Sequence, residues 1–561
     1  MKKIFPLSYF LICGFALITL NAYSQVPNWQ WAKTAIGSSS LAHSICTDAS
    51  GNSYVAGQFG YPSITFGSIT LTSNGPYNNN LFLVKYDQSG NVLWAKNAGG
   101  KSDNIATSVA VDNSGNVFIA GVFSDTIIFG STTLINSGYS HMFLAKYDPL
   151  GNAIWAQKMG GSLAGDCAYS VATDVSGNCY VTGGIQGSPT ATFGPYTLIH
   201  NDAASDIFIV KYDPNGNVLW AKDYGGNSQD IAYSVTTDPS GNSYITGRFL
   251  STTITFGFTT LAYCGTFLVK SDAAGNVIWA KSSSGTTVGG AATGNSVSTD
   301  ALGNSYITGY FYDSTVTFGS TTLNNAYTGN GYSEDMFFVK YGPSGNVLWA
   351  KSVGGISSFD VGTSVFADSL GNSYFTGYFA SSTITFGSIT LTLNGFQDIF
   401  IAKYDPSGNV LWAKNAGGTS AQESNSIAVD ASGNCHIAGA FFSPTLVFGS
   451  TTLTNSSGSG GEMFIAKTGN VEGINSFTAS GNSISIFPNP SNGKFTLEAS
   501  HFENWEMGSL EIYSVLGEKM VSEKIISEKT EIDLSGNAKG IYFYRIFNST
   551  EIIGSGKMIV E

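Results

Sequence analysis

The sequence predicts an all-β protein, and its main part is predicted to be a seven-bladed β-propeller closed by its own N-terminal strand. Three markers support this prediction, because each occurs seven times at a step of roughly sixty residues, which is typical of a repeat fold. The first marker is a tryptophan near the end of an apolar strand, found at Trp31, Trp94, Trp155, Trp220, Trp279, Trp349 and Trp412. The second is an Asp-x-x-Gly-Asn turn, found at Asp48, Asp112, Asp174, Asp238, Asp300, Asp368 and Asp430. The third is a Phe-Gly pair, found at Phe66, Phe129, Phe193, Phe256, Phe318, Phe386 and Phe448.

Composition independently favours β-structure and narrows the possible partners. The chain contains 68 glycines and 13% aromatic residues, only 11% of its residues are charged, and no long stretch carries apolar residues at helical spacing. A chain of 561 residues is too long for one packed core, so the core is divided among repeats or domains. The net charge of −13 argues against nucleic acid as a partner, since phosphate binding depends on clustered Lys and Arg.

Each repeat is predicted to contain four strands, as the second copy illustrates. The predicted strands are residues 108–111, 117–121, 142–146 and 153–157, with an extra strand pair or arm over 127–134. Strands one and two, and strands three and four, are joined by turns in which Asp bonds the following backbone and Gly accepts positive φ. The later strands are apolar on both faces, so the sheets must stack against one another. Four-stranded sheets stacked around an axis describe a β-propeller.

The two ends of the repeat array predict that it closes into a ring. The last repeat stops after residues 463–467 and lacks a fourth strand, whereas residues 28–33 are an orphan copy of that strand. An open β-solenoid gains nothing from a hairpin split between its ends. A ring is completed by it and loses its exposed strand edges. A closed seven-bladed ring is therefore favoured over a solenoid.

The first 24 residues have the layout of a secretory signal peptide. Two lysines precede an apolar run over residues 10–20, and Ala22-Tyr23-Ser24 predicts cleavage after Ser24. No other segment is long and apolar enough to span a bilayer, so no transmembrane segment is expected in the mature chain.

Cleavage leaves five cysteines, which is an odd number without metal or redox spacings. Buried, unpaired thiols are the favoured interpretation. Cys46 with Cys435 is the one candidate pair, because ring closure brings the first and last repeats together.

The repeated motifs resemble a known family. Asp-x-Ser-Gly-Asn-x-Tyr-Val-x-Gly followed by Phe-Leu-Val-Lys-Tyr-Asp-Pro-Ser-Gly-Asn-Val-Leu-Trp looks like the SBBP beta-propeller repeat of bacterial surface and secreted proteins, over about residues 28–467. Three positions depart from the pattern: Ser271 replaces Tyr, Gly342 replaces Asp, and His436 replaces Tyr or Phe. The resemblance implies a propeller but no shared activity.

The composition changes after residue 470, where a polar linker precedes a more charged tail. Short alternating strands separated by Gly turns predict a small β-sandwich there. The predicted division is a signal peptide over 1–24, a propeller over 25–470, a linker over 471–482 and a tail domain over 483–561.

The tail resembles the type A C-terminal sorting domain of the type IX secretion system of Bacteroidota. Asn537 is a departure, since Leu is common there. The resemblance implies contact with the secretion machinery, outer-membrane passage, removal of the tail, and release or anchoring to surface lipopolysaccharide. The residues that match the sorting signal are Pro488, Asn489, Pro490, Gly493, Gly517, Gly540 and Lys557.

A unique site is expected where the repeats differ, because parts shared by every repeat cannot build one. The seven turn aspartates lack the spacing of an EF-hand loop and are interpreted as structural, and the seven tryptophans as packing between blades. Irregular connections lie at residues 160–166, 225–230, 282–294 and 324–335, and their Tyr, Asn, Ser and Gly content suits glycan or protein recognition. The candidate ligand-binding residues are Asp103, Asp166, Asp230, Asp360, Tyr327 and Tyr332.

The first functional hypothesis is a secreted or surface scaffold that binds glycan or protein without catalysis, including a role in adhesion. An extracellular polysaccharide hydrolase or lyase is the alternative, since the four aspartates precede the first strand of their repeats and can act as acid and base at the channel mouth. In the alternative, structural interpretation, these four aspartates form turns and cap strands. The third hypothesis is a spacer. No catalytic residue, metal or cofactor is assigned; His43 and His436 are the one histidine pair that closure brings near, without ligand spacing.

Overall fold

The computed structural model describes residues 26–560 except 74, 76–77, 101, 137–139, 162–164, 188, 200–203, 263, 286–291, 328–332, 357–358, 459, 470–482, 490, 501–507, 515–516, 526, 528 and 549–550. All regular secondary structure in the described residues is β-strand. No helical segment in this part of the chain has the length and apolarity that crossing a bilayer requires.

The repeats form seven four-stranded antiparallel units among the described residues. The first strands, called inner strands, are β3 Ser40–Thr47, β9 Asn104–Val111, β15 Cys167–Thr173, β21 Asp230–Thr237, β27 Ala292–Thr299, β33 Val361–Ala367 and β39 Gln422–Val429. The second strands are β4 Ser53–Phe59, β10 Val117–Phe123, β16 Cys179–Ile185, β22 Ser243–Phe249, β28 Ser305–Phe311, β34 Ser373–Phe379 and β40 Cys435–Phe441. The third strands are β7 Asn80–Tyr86, β13 His141–Tyr147, β19 Asp206–Tyr212, β25 Gly265–Ser271, β31 Asp335–Tyr341, β37 Asp398–Tyr404 and β43 Glu462–Thr468. The fourth strands are β8 Val92–Ala98, β14 Ala153–Gly161, β20 Val218–Tyr224, β26 Val277–Gly285, β32 Val347–Val353, β38 Val410–Ala416 and, in the last unit, β1 Trp29–Thr34.

These units are numbered sheets 1 to 7 in the order of their inner strands. The four strands predicted for the second repeat are confirmed, since β9, β10, β13 and β14 contain them and pair in that order. Between the second and third strands each repeat carries a two-stranded arm, so the predicted extra pair at 127–134 is also confirmed. The arms are β5 Ser63–Phe66 with β6 Ile69–Thr72, β11 Thr126–Phe129 with β12 Thr132–Ile135, β17 Thr190–Phe193 with β18 Tyr196–Ile199, β23 Thr253–Phe256 with β24 Thr259–Ala262, β29 Thr315–Phe318 with β30 Thr321–Asn324, β35 Thr383–Phe386 with β36 Ile389–Thr392, and β41 Thr445–Phe448 with β42 Thr451–Thr454. The short strand β2 Ile36–Gly37 pairs with β5, β17 extends β14, and β29 extends β26.

The Asp-x-x-Gly-Asn turns are held by the aspartate side chain, as the sequence predicts. Asp112 Oδ1 accepts the backbone N–H groups of Ser114 and Asn116, each at 2.9 Å, and Oδ2 accepts the Asn116 amide at 2.8 Å. Gly115 has a φ of 79°, a conformation that glycine adopts without a steric cost. Because the carboxylate is used by its own turn, the structural interpretation of these aspartates is confirmed.

The repeated tryptophans pack between neighbouring sheets, which confirms their predicted role. The Trp94 indole N–H donates to the Pro149 carbonyl of the next sheet at 3.1 Å, and the ring covers Gly151 in the same turn. A Cβ at Gly151 would lie 2.9 Å from the Trp94 ring, so this close approach requires glycine. The hydrophobic cores mix side chains of adjacent sheets; one of them combines Tyr54 of β4 with Ile119 of β10.

A ladder of serine side chains connects the inner strands. In each of seven hydrogen bonds, the serine Oγ of one inner strand accepts a backbone N–H of another inner strand at 3.1 or 3.2 Å. The bonds run from Val109 to Ser44, Val171 to Ser108, Val235 to Ser170, Val297 to Ser234, Val365 to Ser296, Ile427 to Ser364 and Ile45 to Ser426. The last of these joins β3 to β39.

The two ends of the repeat array lie in one sheet. Strand β1 pairs antiparallel with β43, with Trp31 opposite Lys467 and Thr34 opposite Phe464. Just beyond the pair, the Gly469 N–H donates to the Asn28 carbonyl at 2.9 Å. Sheet 7 therefore takes its fourth strand from the opposite end of the array.

The tail contains two antiparallel sheets around one hydrophobic core. Three strands pair in the order β44 Ser483–Phe487, β45 Lys494–Ser500, β48 Lys529–Asp533. Four more pair in the order β47 Lys519–Ile525, β46 Gly508–Ser514, β49 Gly540–Asn548, β50 Glu551–Val560. Leu497 and Ile532 of the first sheet pack in the same cluster as Leu510 and Ile546 of the second.

Candidate functional site

The second strands contain one position at which the repeats differ in a systematic way. It lies between a constant Gly and a terminal Phe or Ile, and in five repeats it is the one residue of a buried strand that remains partly exposed. The residues at this position are Gln58, Val122, Gly184, Arg248, Tyr310, Tyr378 and Ala440. The repeated scaffold therefore carries residues of varied size and charge at one equivalent position, with tyrosine in two neighbouring sheets.

The inner strands supply a second variable position, because each contains a β-bulge that leaves one residue unpaired. The bulged residues are His43, Thr107, Tyr169, Tyr233, Asn295, Thr363 and Asn425. The Thr and Asn side chains donate to the next inner strand; Asn295 Nδ2, for example, donates to the Gly362 carbonyl at 2.9 Å. The other three bulges carry aromatic rings. Bulges re-aim side chains, and they are common beside functional sites.

The variable residues of sheets 3 to 6 converge. The rings of Tyr169 and Tyr233 are 5.2 Å apart at 70°. Burial raises the pKa of both phenols, and the Arg248 guanidinium is near enough to oppose that rise. Tyr310 also lies within electrostatic range of Tyr233 and of Tyr378.

Two glutamates complete the far end of this group. Burial raises the pKa of Glu334 and of Glu423. Burial is also the main cause of the raised pKa of the Tyr378 phenol, and the two nearby carboxylates raise it further. The name tyrosine–arginine cluster is used below for Tyr169, Tyr233, Arg248, Tyr310, Tyr378, Glu334 and Glu423. The cluster has a cationic end at sheet 4 and an anionic end at sheets 5 to 7.

Gln229 holds the Arg248 guanidinium in place, and Arg248 still has an N–H group that is not used in a hydrogen bond among the described residues. Its Nη2 donates to Gln229 Oε1 at 2.7 Å, and the Gln229 backbone carbonyl accepts the Leu250 N–H at 2.9 Å. The Arg248 Nε is buried without an acceptor among the described residues. Ion pairs within the described part of the chain do not include Arg248.

The carboxylates of the four aspartates that the sequence marks as candidate ligand-binding residues form hydrogen bonds to loop backbone and, in the described part of the chain, not to side chains of the tyrosine–arginine cluster. Asp230 accepts the Leu250 and Ser251 N–H groups and the Ser251 hydroxyl. Asp360 has equivalent bonds to Ala380 and Ser381. Asp166 accepts from Gly161 and Gln186, and Asp103 accepts the Asn79 N–H at 2.8 Å. These bonds of Asp230 and Asp360 stay within one sheet, whereas Asp103 and Asp166 also bond to the preceding sheet. All four carboxylates tie down loop backbone, which is the capping role that the sequence also allowed.

The remaining candidate residues of the repeats add little to the site. Tyr327 is half-buried, and its N–H donates to Asn325 Oδ1, while Tyr332 lies outside the described residues. Cys46 and Cys435 are not bonded to each other, and all five described cysteines are free. Within the described residues, no group of three or more His, Cys, Asp or Glu has the arrangement to hold a metal ion.

His436 forms a buried hydrogen-bonded triad between sheets 7 and 1. Its Nδ1 lies 2.8 Å from Ser53 Oγ and its Nε2 lies 3.2 Å from Asp430 Oδ2. Both His436 and Ser53 are fully buried, so a substrate cannot reach the hydroxyl. The arrangement is structural, and His43 is not part of it: burial lowers the pKa of His43, and the nearby Gln58 opposes that change.

In the tail, the predicted sorting residues lie at turns and at the last strand. Asn489 joins its loop to β50, because its amide donates to the Lys557 carbonyl at 2.8 Å and its Oδ1 accepts the Ile559 N–H at 2.9 Å. Gly493, Gly517 and Gly540 all have positive φ. Pro488 is exposed beside Asn489, and Pro490 lies outside the described residues.

Comparison with known proteins supports both sequence resemblances. A profile of the SBBP beta-propeller repeat matches residues 219–248, and a profile of the secretion system C-terminal sorting domain matches residues 485–561. The chain is 26% identical over 454 residues to an uncharacterized WD repeat-containing protein of Acanthamoeba polyphaga mimivirus, covering 65% of this chain. The match covers 32% of that relative, so this chain spans about a third of its length.

Two solved structures of low identity are similar along much of the chain. Sqt1 from Chaetomium thermophilum has a TM-score of 0.38 and 7% identity, over 74% of this chain and 97% of that one. PorZ, a surface component of the type-IX secretion system of Porphyromonas gingivalis, has a TM-score of 0.20 and 10% identity, over 94% of this chain and 99% of that one.

The fold and the two profile matches define a class of protein. The repeats are those of a β-propeller, and the tail is a sorting domain that engages the type IX secretion machinery. The protein is therefore an exported β-propeller that resides outside the cell or at its surface.

Proposed function

We propose that this protein is a non-enzymatic glycan-binding propeller and that the tyrosine–arginine cluster is its binding site. The observation that carries the proposal is the concentration of Tyr169, Tyr233, Tyr310 and Tyr378 on sheets 3 to 6. Each is half-buried and occupies a position where other repeats have small or unrelated side chains. Tyrosine presents an apolar ring for a sugar face together with a polar hydroxyl, at a low cost in conformational entropy.

The scaffold for this site is proposed to be a closed ring of seven blades formed by residues 25–470. Two observations support closure: the serine ladder returns to β3 from β39, and β1 pairs with β43. In the same proposal, residues 1–24 are a cleaved signal peptide, 471–482 a linker and 483–561 the sorting domain. Closure makes the site rigid, because each inner strand is held on both sides.

Glycan-array binding of the mature protein tests the proposal. Tyr233→Ala and Tyr310→Ala each remove one ring from the cluster, and we expect each to weaken binding about tenfold or more, as loss of an aromatic contact in a binding site does. Val122→Ala is the matched control, because it changes the same strand position in sheet 2, outside the cluster. Unchanged binding in both tyrosine variants would contradict the assignment of the site.

A polysaccharide hydrolase or lyase is a second candidate, and one observation favours it. Glu334 and Glu423 flank Tyr378 and burial raises the pKa of both carboxyls, as a general acid requires. Release of reducing ends from polysaccharides by the mature protein, lost in Glu423→Gln, would establish catalysis. Binding without turnover in the unmodified protein would favour the first function.

A further inference from the structure

We infer that the tyrosine–arginine cluster selects glycans that carry a carboxylate, with Arg248 as the group that binds it. This inference rests on the glycan-binding function proposed above and specifies the class of ligand. The chain contains two arginines, Arg248 and Arg545, and the second lies in the tail. Every repeat contains lysine, but the repeat region has a single arginine, Arg248, which lies at a variable and partly exposed position.

The donor pattern of Arg248 fits a carboxylate. Gln229 Oε1 accepts one N–H from Nη2 and so fixes the plane of the guanidinium. The Nε–H group is buried and has no acceptor among the described residues. A carboxylate takes two parallel N–H bonds from one edge of a guanidinium, and Nε belongs to such an edge. A buried donor without a partner is unfavourable, and a carboxylate that reaches this edge of Arg248 would satisfy it.

The charges at the two ends of the cluster favour one orientation of a bound glycan. The protein carries a net charge of −13, and Arg248 has no ion-pair partner in the described residues, so its charge is available to an anion. Glu334 and Glu423 lie at the other end, beside Tyr378. A second carboxylate there would be repelled, so an acidic sugar is expected at the Arg248 end and a neutral sugar at the Tyr378 end.

The neighbouring rings favour a sugar over a peptide. Tyr169 and Tyr233 meet edge to face at 5.2 Å and both lie within electrostatic range of Arg248. This arrangement offers ring faces and phenol hydroxyls beside the cation. A uronic acid matches it, because the apolar face of its ring, its hydroxyls and its carboxylate are all close together.

Calorimetry with matched saccharides tests the inference on the mature full-length protein. The probes are hexasaccharides of galacturonate, alginate and hyaluronan, each paired with its carboxyl-reduced, neutral counterpart. We expect at least one acidic probe to bind tenfold or more tightly than its counterpart, and Arg248→Gln to abolish that preference. Gln58→Ala changes the same strand position in sheet 1 and is expected to leave it unchanged.

A spectroscopic readout separates contact with Arg248 from a general loss of structure. Arginine-selective ¹⁵N labelling gives two Nε–H side-chain signals, which Arg545→Lys assigns. The Arg248 signal is expected to shift with the acidic probe and to stay in place with the neutral one. A stationary Arg248 signal during binding would overturn the inference.

The possible failures are distinguishable. Equal affinity for the acidic and carboxyl-reduced probes would overturn the inference and leave the glycan-binding function standing. Absence of binding to every saccharide would overturn both. If an Asp- and Glu-rich peptide shifts the Arg248 signal and no saccharide does, the site binds protein and the inference is wrong.

Discussion

Asp335 provides a quantitative prediction, because its carboxyl is almost fully buried at the start of β31. It is 1% exposed, Oδ2 accepts the Ala326 N–H at 2.7 Å, and Oδ1 has no partner among the described residues. Burial, reinforced by the charge of Asp360, raises the pKa of Asp335 from 3.8 to about 7. We predict that Asp335→Asn, which keeps the acceptor oxygen but cannot ionise, stabilises the protein at alkaline pH.

The sign follows from linkage between proton binding and folding. The folded state binds this proton more tightly than the unfolded state, so the free energy of unfolding falls as the pH rises from about 4 to about 7. One pKa unit corresponds to about 1.4 kcal/mol, so the shift of Asp335 corresponds to roughly 4 kcal/mol when ionisation is complete. Asp335→Asn should recover up to that amount at pH 8 and almost none at pH 4.

Urea unfolding of both proteins at pH 4, 6 and 8 measures this difference. Asp148→Asn is the control with the opposite sign, because hydrogen bonds from Asn152 and Leu150 outweigh desolvation and lower the pKa of the Asp148 turn carboxyl. That variant should lose stability at neutral pH. A difference between Asp335→Asn and the unmodified protein that does not vary with pH would refute the reasoning.

Three further variants test other features. Gly151→Ala should lower the free energy of unfolding by about 1 kcal/mol or more, from positive φ and the nearby Trp94 ring; Gly60→Ala, with ordinary φ and no atom closer than 3.7 Å, should not. Burial lowers the pKa of His436, so unfolding free energy should fall as pH drops below about 6.5. His436→Tyr should weaken that slope in a thermal melt series from pH 7 to 5. Asn489→Ala removes both side-chain bonds to β50 and should reduce the exported fraction measured by fractionation and immunoblotting.

Local features of the repeat could be predicted from the sequence because their chemistry is complete within a few residues. The Asp112 turn needs only Ser114, Gly115 and Asn116, and the bonds appear as predicted. The contact of Trp94 with the next repeat could be predicted too, since a residue kept at one strand position in every copy must meet the same neighbour each time.

The candidate site was harder to predict, since its residues come from different sheets and share no linear spacing. Tyr169 occupies a bulge, and the sequence gives no signal that this residue leaves the regular alternation of its strand. A usable signal did exist for Arg248 and Tyr310. Both occupy the variable position of a Gly-x-Phe triplet that six of the seven repeats keep, and Arg248 is the one arginine of the repeats. The sequence instead drew attention to the loop aspartates, whose position before the inner strands reflects backbone capping.

The pairing of β1 with β43 makes assembly of sheet 7 depend on both ends of the repeat region. Thr34 Oγ1 bonds to the Met463 carbonyl across 429 positions of the chain, so sheet 7 cannot be assembled until nearly the whole repeat region is available. A chain shortened before Glu462 would leave β1 with its backbone donors and acceptors unsatisfied, ready to pair with another copy. Truncated chains that lack β43 are therefore expected to associate through β1, whereas chains that complete sheet 7 have this strand edge paired.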